Sequence, residues 1–82
     1  MTIQTLKITE EFADAVVDGR KRFEVRRNDR GFKEGQFVKF HVIRNGIMIH
    51  NHPINKKTYK ITYILGEPWS IPEHVIFGIE EV

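Results

Sequence analysis

Apolar and polar residues alternate in short runs through the second half of this chain, and this pattern limits the fold more than any other feature. The apolar members of the runs are Val38, Phe40 and Val42, then Tyr59, Ile61, Tyr63 and Leu65, and finally Val75, Phe77 and Ile79. A period of two is typical of strands that bury one face. Asn45-Gly46 lies between two apolar-rich runs and predicts a hairpin turn, because both residues tolerate positive φ. The chain is therefore predicted to consist mainly of short, mostly antiparallel strands.

A single helix is predicted near the N-terminus, after a short strand over residues 5–8. Thr9 is expected to cap it, because a threonine hydroxyl accepts from a free N–H of the first turn. Gly19 is expected to end it, because glycine adopts the left-handed C′ conformation without a steric penalty. The helical residues expected to face the core are Phe12, Ala15 and Val16, flanked by Ala13 and Val17.

Length and composition limit how this chain can be stabilised. Its 82 residues are enough for one domain, which we assign to residues 1–82. No cysteine is present, so neither a disulfide nor a thiolate zinc site supplements the core, and apolar packing by the 40% hydrophobic residues must suffice. The predicted class is α+β and mostly β: a small closed or partly open barrel with the helix packed against it.

Several aromatic and histidine side chains are candidates for a function beyond packing. Trp69, in the Gly- and Pro-rich connection after residue 65, is expected to close one end of the core, with stacking on a base as the alternative. Tyr59 and Tyr63 are both expected in the core. His50 and His52 lie close together but have no third ligand nearby, so neither a metal site nor a cofactor is predicted.

Basic residues are concentrated in one segment, although the net charge of the chain is only +2. Seven of the thirteen lysines and arginines fall in it: Arg20, Lys21, Arg22, Arg26, Arg27, Arg30 and Lys33. Within that window only Glu24 and Asp29 carry negative charge. A local field of this kind attracts phosphates, whereas a solvated basic face without a partner is the plain alternative.

The same segment contains a second alternating run, in which the polar positions are charged. Phe23 and Val25 are expected to point inward, and Arg22, Glu24 and Arg26 are expected to form a charged outer face. The run therefore predicts a half-buried strand.

Residues 19–26 of this segment read G-x-K-x-x-E-x-R. Glu24 and Arg26 are two residues apart, so they share a face, and Lys21 at the strand entry can reach the same space. Arg26 can hold a phosphate through two donors while Lys21 acts as a point charge. A surface ion-pair cluster without a ligand is the structural alternative.

This motif resembles the signature of ASCH domains, which are relatives of the PUA RNA-binding domains. The resemblance continues through residues 26–30, Phe32-Lys33, Gly35 and residues 62–65, and it covers nearly the whole chain. It is closest to a bacterial and phage subgroup of uncharacterised ASCH-like domains. Gln36 departs from the subgroup, where an acidic residue is usual. The resemblance implies a PUA-like β-barrel.

The function implied by the resemblance and the basic segment is binding of nucleic acid, RNA first, or of a nucleotide. The residues expected to form the ligand site are Gly19, Lys21, Arg22, Glu24, Arg26, Arg27 and Arg30. The alternative is a small hydrolase acting on a modified nucleoside or RNA, with Lys21 and Glu24 as acid–base residues. ASCH amidohydrolases have a threonine at the position of Glu24, so that reaction fits less well. A protein-interaction domain is the third possibility.

The first residues of the chain predict a cytoplasmic protein. They include neither a basic n-region nor a long apolar run, which argues against a signal peptide. No segment approaches the ~20 apolar residues that a membrane span requires, so no membrane partner is expected. Protein partners are left open.

Overall fold

The structure, a computed structural model, describes residues 3–82. Its elements in chain order are β1 (Ile3–Thr9), α1 (Glu10–Val17), β2 (Phe23–Arg27), β3 (Phe37–Arg44), β4 (Ile47–Ile49), a 3₁₀ turn (Pro53–Lys56), β5 (Tyr59–Leu65) and β6 (His74–Glu81). Strands dominate, so the predicted mostly-β member of the α+β class is confirmed. None of the helical segments in this range has both the length and the apolar character needed to cross a bilayer.

Five strands form one sheet in the order β1-β3-β5-β6-β2. The sixth strand, β4, pairs only with β3 and lies outside this order. The β1–β3 pair is parallel and all other pairs are antiparallel. Within residues 3–82 no backbone ladder joins β1 to β2, which are the two ends of the path. The sheet is therefore not closed into a barrel by strand pairing.

The predicted hairpin joins β3 to β4. Asn45 has φ 51° and Gly46 has φ 77°, the pair of positive values that a two-residue turn of this kind requires. The turn sets the register in which Val42 lies opposite Ile49. The Asn-Gly signal thus predicted both the turn and the return strand.

The core lies on the inner face of the sheet, where the alternating apolar residues of β3 and β6, and Tyr59 and Ile61 of β5, are buried as expected. Two further core residues come from irregular segments whose pattern gave no signal. Ile54, in the 3₁₀ turn, is fully buried, and Phe32, in the loop before β3, packs on Phe77 with ring centroids 4.9 Å apart. His52 holds the 3₁₀ turn in place, because its Nδ1 accepts from the Ile54 N–H and its Nε2 contacts Asp14 Oδ1 at 2.7 Å.

The helix lies where the sequence predicted it and Val16 is buried as expected, but the rest of its buried face differs from the prediction. Ala13 and Val16 are its buried residues, whereas Phe12 is half exposed, so the expected core position of Phe12 is wrong. Helical spacing identifies an apolar stripe wider than the strip that contacts the sheet, and Phe12 lies at its margin. Thr9 occupies the N-cap position without a side-chain capping bond. Gly19, with φ 86°, follows the C-cap Asp18 as expected.

A bulge in β5 changes the expected orientation of Tyr63. Ile61 pairs with Ile79 and Ile64 pairs with Phe77, so Thr62 and Tyr63 together lie opposite the single residue Gly78. The extra residue reverses the alternation beyond it, and Tyr63 is 64% exposed instead of buried. The extra residue lies in β5, across the ladder from Gly78.

Gly78 leaves room for Thr62 in this bulge. A Cβ at position 78 would lie 2.5 Å from Thr62 Oγ1, closer than any normal contact. We expect Gly78→Ala to lower the free energy of unfolding by about 1–3 kcal/mol, because the overlap must be relieved by local displacement. In a Thr62→Ala background the nearest remaining atoms are 3.8 and 3.9 Å away, so the same substitution should cost much less. Urea denaturation of the wild type, the two single variants and the double variant measures the difference. Equal costs in both backgrounds would contradict this explanation.

Trp69 does not close the core. It lies in the loop between β5 and β6 and is 74% exposed, so the expected packing role is wrong. The polar anchors of this loop include the Ser70 hydroxyl, which donates to the His74 carbonyl at 2.6 Å. Hydrogen bonds of neighbouring residues therefore fix the loop, and the Trp69 ring lies on the surface.

Candidate functional site

The strand that carries the motif has the opposite orientation from the predicted one. β2 pairs with β6 so that Glu24 lies opposite Phe77 and Arg26 lies opposite Val75. Residues directly opposite each other in a ladder share a face, and Phe77 and Val75 are buried. Glu24 and Arg26 therefore point to the inner side of the sheet, and the predicted charged outer face is wrong. Phe23, which was expected inside, is 47% exposed.

Alternation alone separates two faces of a strand without saying which one is inside. At β2 the inner side opens into the gap between β1 and β2, so polar groups can occupy it. Val25, the other apolar residue of this strand, lies on the outer face together with Phe23 and is therefore exposed.

Glu24 is the centre of a three-residue ionic cluster. Its side chain is 4% exposed, and among residues 3–82 it is the only charged residue that is buried. Arg26 Nε donates to Glu24 Oε2 at 2.8 Å, and Lys21 Nζ donates to Glu24 Oε1. Lys21 Nζ also donates to the Phe23 carbonyl at 2.7 Å. The structure thus brings together the lysine, carboxylate and guanidinium of the motif. Two cations around one buried carboxylate give the cluster a net positive charge.

The helix end positions Lys21 for this contact. The positive φ of Gly19 turns the chain out of α1, and the Gly19 N–H donates to the Val16 carbonyl at 3.2 Å. The Lys21 N–H then donates to the Ala15 carbonyl at 3.0 Å, which ties the residue to the last turn of the helix. The glycine of the motif therefore acts through the backbone that it allows, and the lysine enters β2 at a fixed point.

Two arginines span the gap between β1 and β2. Arg26 Nη2 donates to the Lys7 carbonyl at 2.7 Å, and Arg30 Nη1 donates to the Thr5 carbonyl at 3.0 Å. Thr5 and Lys7 lie two residues apart on β1, so both carbonyls point out of the same edge. Side chains thus satisfy backbone acceptors that a closing strand would otherwise pair.

A cleft of about 490 Å³ lies over the ionic cluster, between β1, α1 and β2. We call it the basic cleft. The polar residues that line it are Lys7, Thr9, Lys21, Glu24, Arg26, Arg27 and His74. Four of these are permanent cations and one is an anion, so the cleft favours a negatively charged ligand. His74 of β6 also lines this cleft.

Two aromatic rings form the apolar wall of the basic cleft. Phe12 from the helix and Phe23 from β2 both line it, and both rings are partly exposed. The Lys21 ammonium lies 5.4 Å from the Phe12 centroid and 5.1 Å from the Phe23 centroid, within cation–π range. These are functional candidates that the sequence reasoning assigned to the core. Phe23 lies within the motif and Phe12 lies on the helix before it, and periodicity alone does not distinguish either residue from a core residue.

The remaining predicted site residues lie around the cluster instead of in it. Arg27 lines the basic cleft and pairs with Glu73 at 3.2 Å. Arg30 forms the bridge to β1 described above. Arg22 does not join Glu24, because its Nε donates to the Gly19 carbonyl at 3.1 Å.

A second cleft of about 490 Å³ lies on the other side of the motif segment. Gly19 and Arg22 line it, and so does Lys21, which also lines the basic cleft. We call it the tyrosine cleft. Its other polar lining residues are Tyr59, Thr62, Glu80 and Glu81. No local pattern predicted it, because it joins the helix end to strands from the far end of the chain.

Ion pairing reduces the basic field of the motif segment. Arg20 pairs with Asp18 at 2.8 Å, and hydrogen bonds from the Arg20 side chain and backbone hold the pKa of Asp18 below its ordinary value. Asp18 and Glu73 lie outside the window in which the basic residues are concentrated. The count of charges within that window therefore overstated the number of basic residues that lack an ion-pair partner.

The comparisons place this chain in a family. A search of curated proteins finds no match. A family model, described as a domain of unknown function (DUF3850), matches residues 3–79. That range contains the whole motif, both arginine bridges and nearly all of β6. The chain therefore belongs to the DUF3850 family.

Proposed function

We propose that this domain binds a nucleotide unit, most naturally one within single-stranded RNA, in the basic cleft. The observation that carries the proposal is the buried Glu24 carboxylate held between Lys21 and Arg26 at the base of that cleft. Burying a charge is costly, and a surface ion pair would avoid that cost. A preformed cationic cluster beneath an open cleft is the arrangement that anion binding requires.

Two kinds of lining residue in the basic cleft match the two chemical parts of a nucleotide. Lys7, Arg26 and Arg27 provide donors for phosphate. The exposed rings of Phe12 and Phe23 provide faces on which a base can stack. A volume of about 490 Å³ lies within the range of sites for small molecules, and it suits one splayed nucleotide better than a rigid duplex.

The resemblance to ASCH domains supports the same function. Its G-x-K-x-x-E-x-R positions are the residues that form the helix exit, the ammonium, the carboxylate and the guanidinium of the cluster. We further propose that the open sheet is a PUA-like barrel whose seam between β1 and β2 is held by Arg26 and Arg30 in place of a backbone ladder.

Fluorescence anisotropy with labelled RNA tetranucleotides, at 50 and 200 mM salt, tests the proposal. Each phosphate neutralised on a single strand contributes a slope of about −0.7 to the salt dependence, so two contacts predict about a sevenfold loss of affinity over this range. Amide chemical-shift changes on titration with a mononucleotide should be concentrated at the basic cleft. Salt-independent affinity, or shifts confined to other faces, would overturn the proposal.

Hydrolysis of a nucleoside or RNA is the second candidate, and the contact between Lys21 and the buried Glu24 favours it. These two groups are adjacent at the base of a cleft, as acid–base partners are. Both Glu24 oxygens are held by cations, so proton transfer requires substrate to displace one of them. Chromatography of RNA and acylated nucleosides incubated with the protein decides this point: intact ligand supports binding alone, and product supports catalysis.

A further inference from the structure

The loop between β5 and β6 presents large apolar side chains that the core does not use. Trp69 is 74% exposed and Ile71 is 60% exposed. One exposed apolar residue is ordinary in a folded protein, so Trp69 becomes informative only through what holds it and what lies beside it. Both point to a ligand.

Hydrogen bonds hold this loop in one shape. The Trp69 and Ser70 N–H groups both donate to the Gly66 carbonyl, at 3.0 and 3.2 Å. The Ser70 hydroxyl donates to the His74 carbonyl at 2.6 Å, and the His74 N–H donates to the Ile71 carbonyl at 3.0 Å. An ordered backbone therefore presents the indole, and a ligand that contacts it has little loop ordering to overcome.

The same loop ends at the rim of the basic cleft. His74 lies opposite Arg27 in the ladder between β2 and β6, and both residues line that cleft. Glu73, the last residue of the loop, accepts from Arg27 Nη2 at 3.2 Å. Ser70, the chain neighbour of Trp69, is bonded to His74 as described above. Trp69 is therefore anchored beside the cleft through its own neighbour in the chain.

The charges of the loop indicate which part of a ligand it can accept. Glu67 and Glu73 give the loop negative charge, so it does not suit a phosphate, whereas the uncharged face of an indole suits a base. The ion pair between Arg27 and Glu73 is exposed and therefore contributes little, which leaves the Arg27 guanidinium available to a phosphate at the cleft rim.

We propose that Trp69 is a second base-binding subsite, on which a single strand stacks the base next to the nucleotide held in the basic cleft. A basic groove beside an aromatic platform is the arrangement that single-strand binding uses. Every base has a face that can stack, so the subsite adds affinity with little sequence preference. This inference rests on the proposed function, because it takes the ligand to be a strand of at least two nucleotides.

Intrinsic fluorescence tests the subsite directly, because Trp69 is the single tryptophan of the chain. A uridine tetranucleotide should quench its emission on binding, whereas uridine 5′-monophosphate, which fills the basic cleft alone, should leave it largely unchanged. Equal quenching by the mononucleotide would place the first nucleotide on the indole and overturn the proposal. Emission that changes when the RNA-free protein is diluted would show that a second copy of the chain covers Trp69, which also overturns it.

Substitution gives the energetic test. Trp69→Leu should weaken tetranucleotide binding by about 5- to 100-fold, the range expected when an aromatic that stacks on one base is removed. Trp69→Phe, which keeps a ring, should retain most of the affinity. Ile71→Ala removes an exposed apolar side chain from the same loop without removing a ring, so it is the matched control and should leave binding unchanged. Anisotropy measures each affinity, and circular dichroism checks that each variant is folded. Equal losses in Trp69→Leu and Ile71→Ala would contradict stacking.

Mononucleotide binding separates a failure of the subsite from a failure of the site. Uridine 5′-monophosphate should bind the basic cleft in wild type and in Trp69→Leu alike. If it does so while Trp69→Leu leaves tetranucleotide affinity intact, the subsite is disproved and the proposed function stands. If neither mononucleotide nor tetranucleotide binds, both proposals fail.

Discussion

Replacing Arg26 by methionine is expected to lower the free energy of unfolding by about 2–3 kcal/mol. The substitution keeps an apolar stem but removes one of the two cations beside Glu24, whose side chain is 4% exposed. Removing a partner from a buried ion pair is strongly destabilising, because the remaining charge is left in a medium of low polarity. Lys21 remains in contact with the carboxylate and keeps the cost at the lower end. Urea denaturation, with the slope m checked for constancy, measures the change.

A double-mutant cycle isolates the ionic part of this effect. Glu24→Gln removes the buried charge while preserving shape, so Arg26→Met should cost much less in that background. The lost hydrogen bond to the Lys7 carbonyl is common to both backgrounds and cancels. Arg44→Met is a matched control, because Arg44 pairs with Glu10 on the exposed surface and should barely shift the denaturation midpoint. Equal costs of Arg26→Met with glutamate and with glutamine at position 24 would show that the ion pair between Arg26 and Glu24 does not stabilise the fold.

Replacing Lys21 by methionine is expected to weaken RNA binding by about tenfold or more. A charge-assisted hydrogen bond contributes about 1.5–3 kcal/mol, and 1.4 kcal/mol corresponds to a factor of ten in affinity. Methionine keeps the apolar stem between Phe12 and Phe23, so the aromatic wall of the basic cleft should persist. Anisotropy titration at constant salt gives the loss directly.

Lys60→Met is the control for non-specific electrostatics. Lys60 is an exposed cation on β5, and it does not line either cleft. Its removal lowers the net charge by the same amount as Lys21→Met, so a specific site predicts little change in affinity. If both variants lose affinity equally, the RNA is held by the overall field of the domain and not by the basic cleft. If a hydrolytic product is detected with wild type, its disappearance in Lys21→Met identifies the lysine as part of the reaction.

Local signals predicted most of the elements. The alternation in β3 and β6, the Asn45-Gly46 turn and the glycine at the end of α1 each specify a structure through contacts with near neighbours, and each lies where it was expected. Tyr63 fails because a bulge depends on the partner strand: Gly78 opposite Thr62 permits an extra residue, and periodicity within β5 does not report it.

The motif predicted which three side chains form the ionic cluster, but not the face of β2 on which they lie. The motif spacing put Lys21, Glu24 and Arg26 within reach of one another, and they do meet. Whether their face is inner or outer depends on the register of β2 against β6, which is set some fifty residues away. For the same reason no local pattern pointed to the tyrosine cleft, whose walls meet only through the assembled sheet.

The pairing of β2 with β6 also determines when the site can first exist. Among the described strands β6 is the only backbone partner of β2, so the segment that carries the motif stays without a ladder until residues 74–81 arrive. Contacts of such long sequence separation form late, because the entropy of closing the intervening loop must be overcome first. During synthesis, a ribosome-bound chain that has not yet released β6 displays the lysine, carboxylate and guanidinium as loose surface charges. The ionic cluster can therefore form only once β6 has paired with β2.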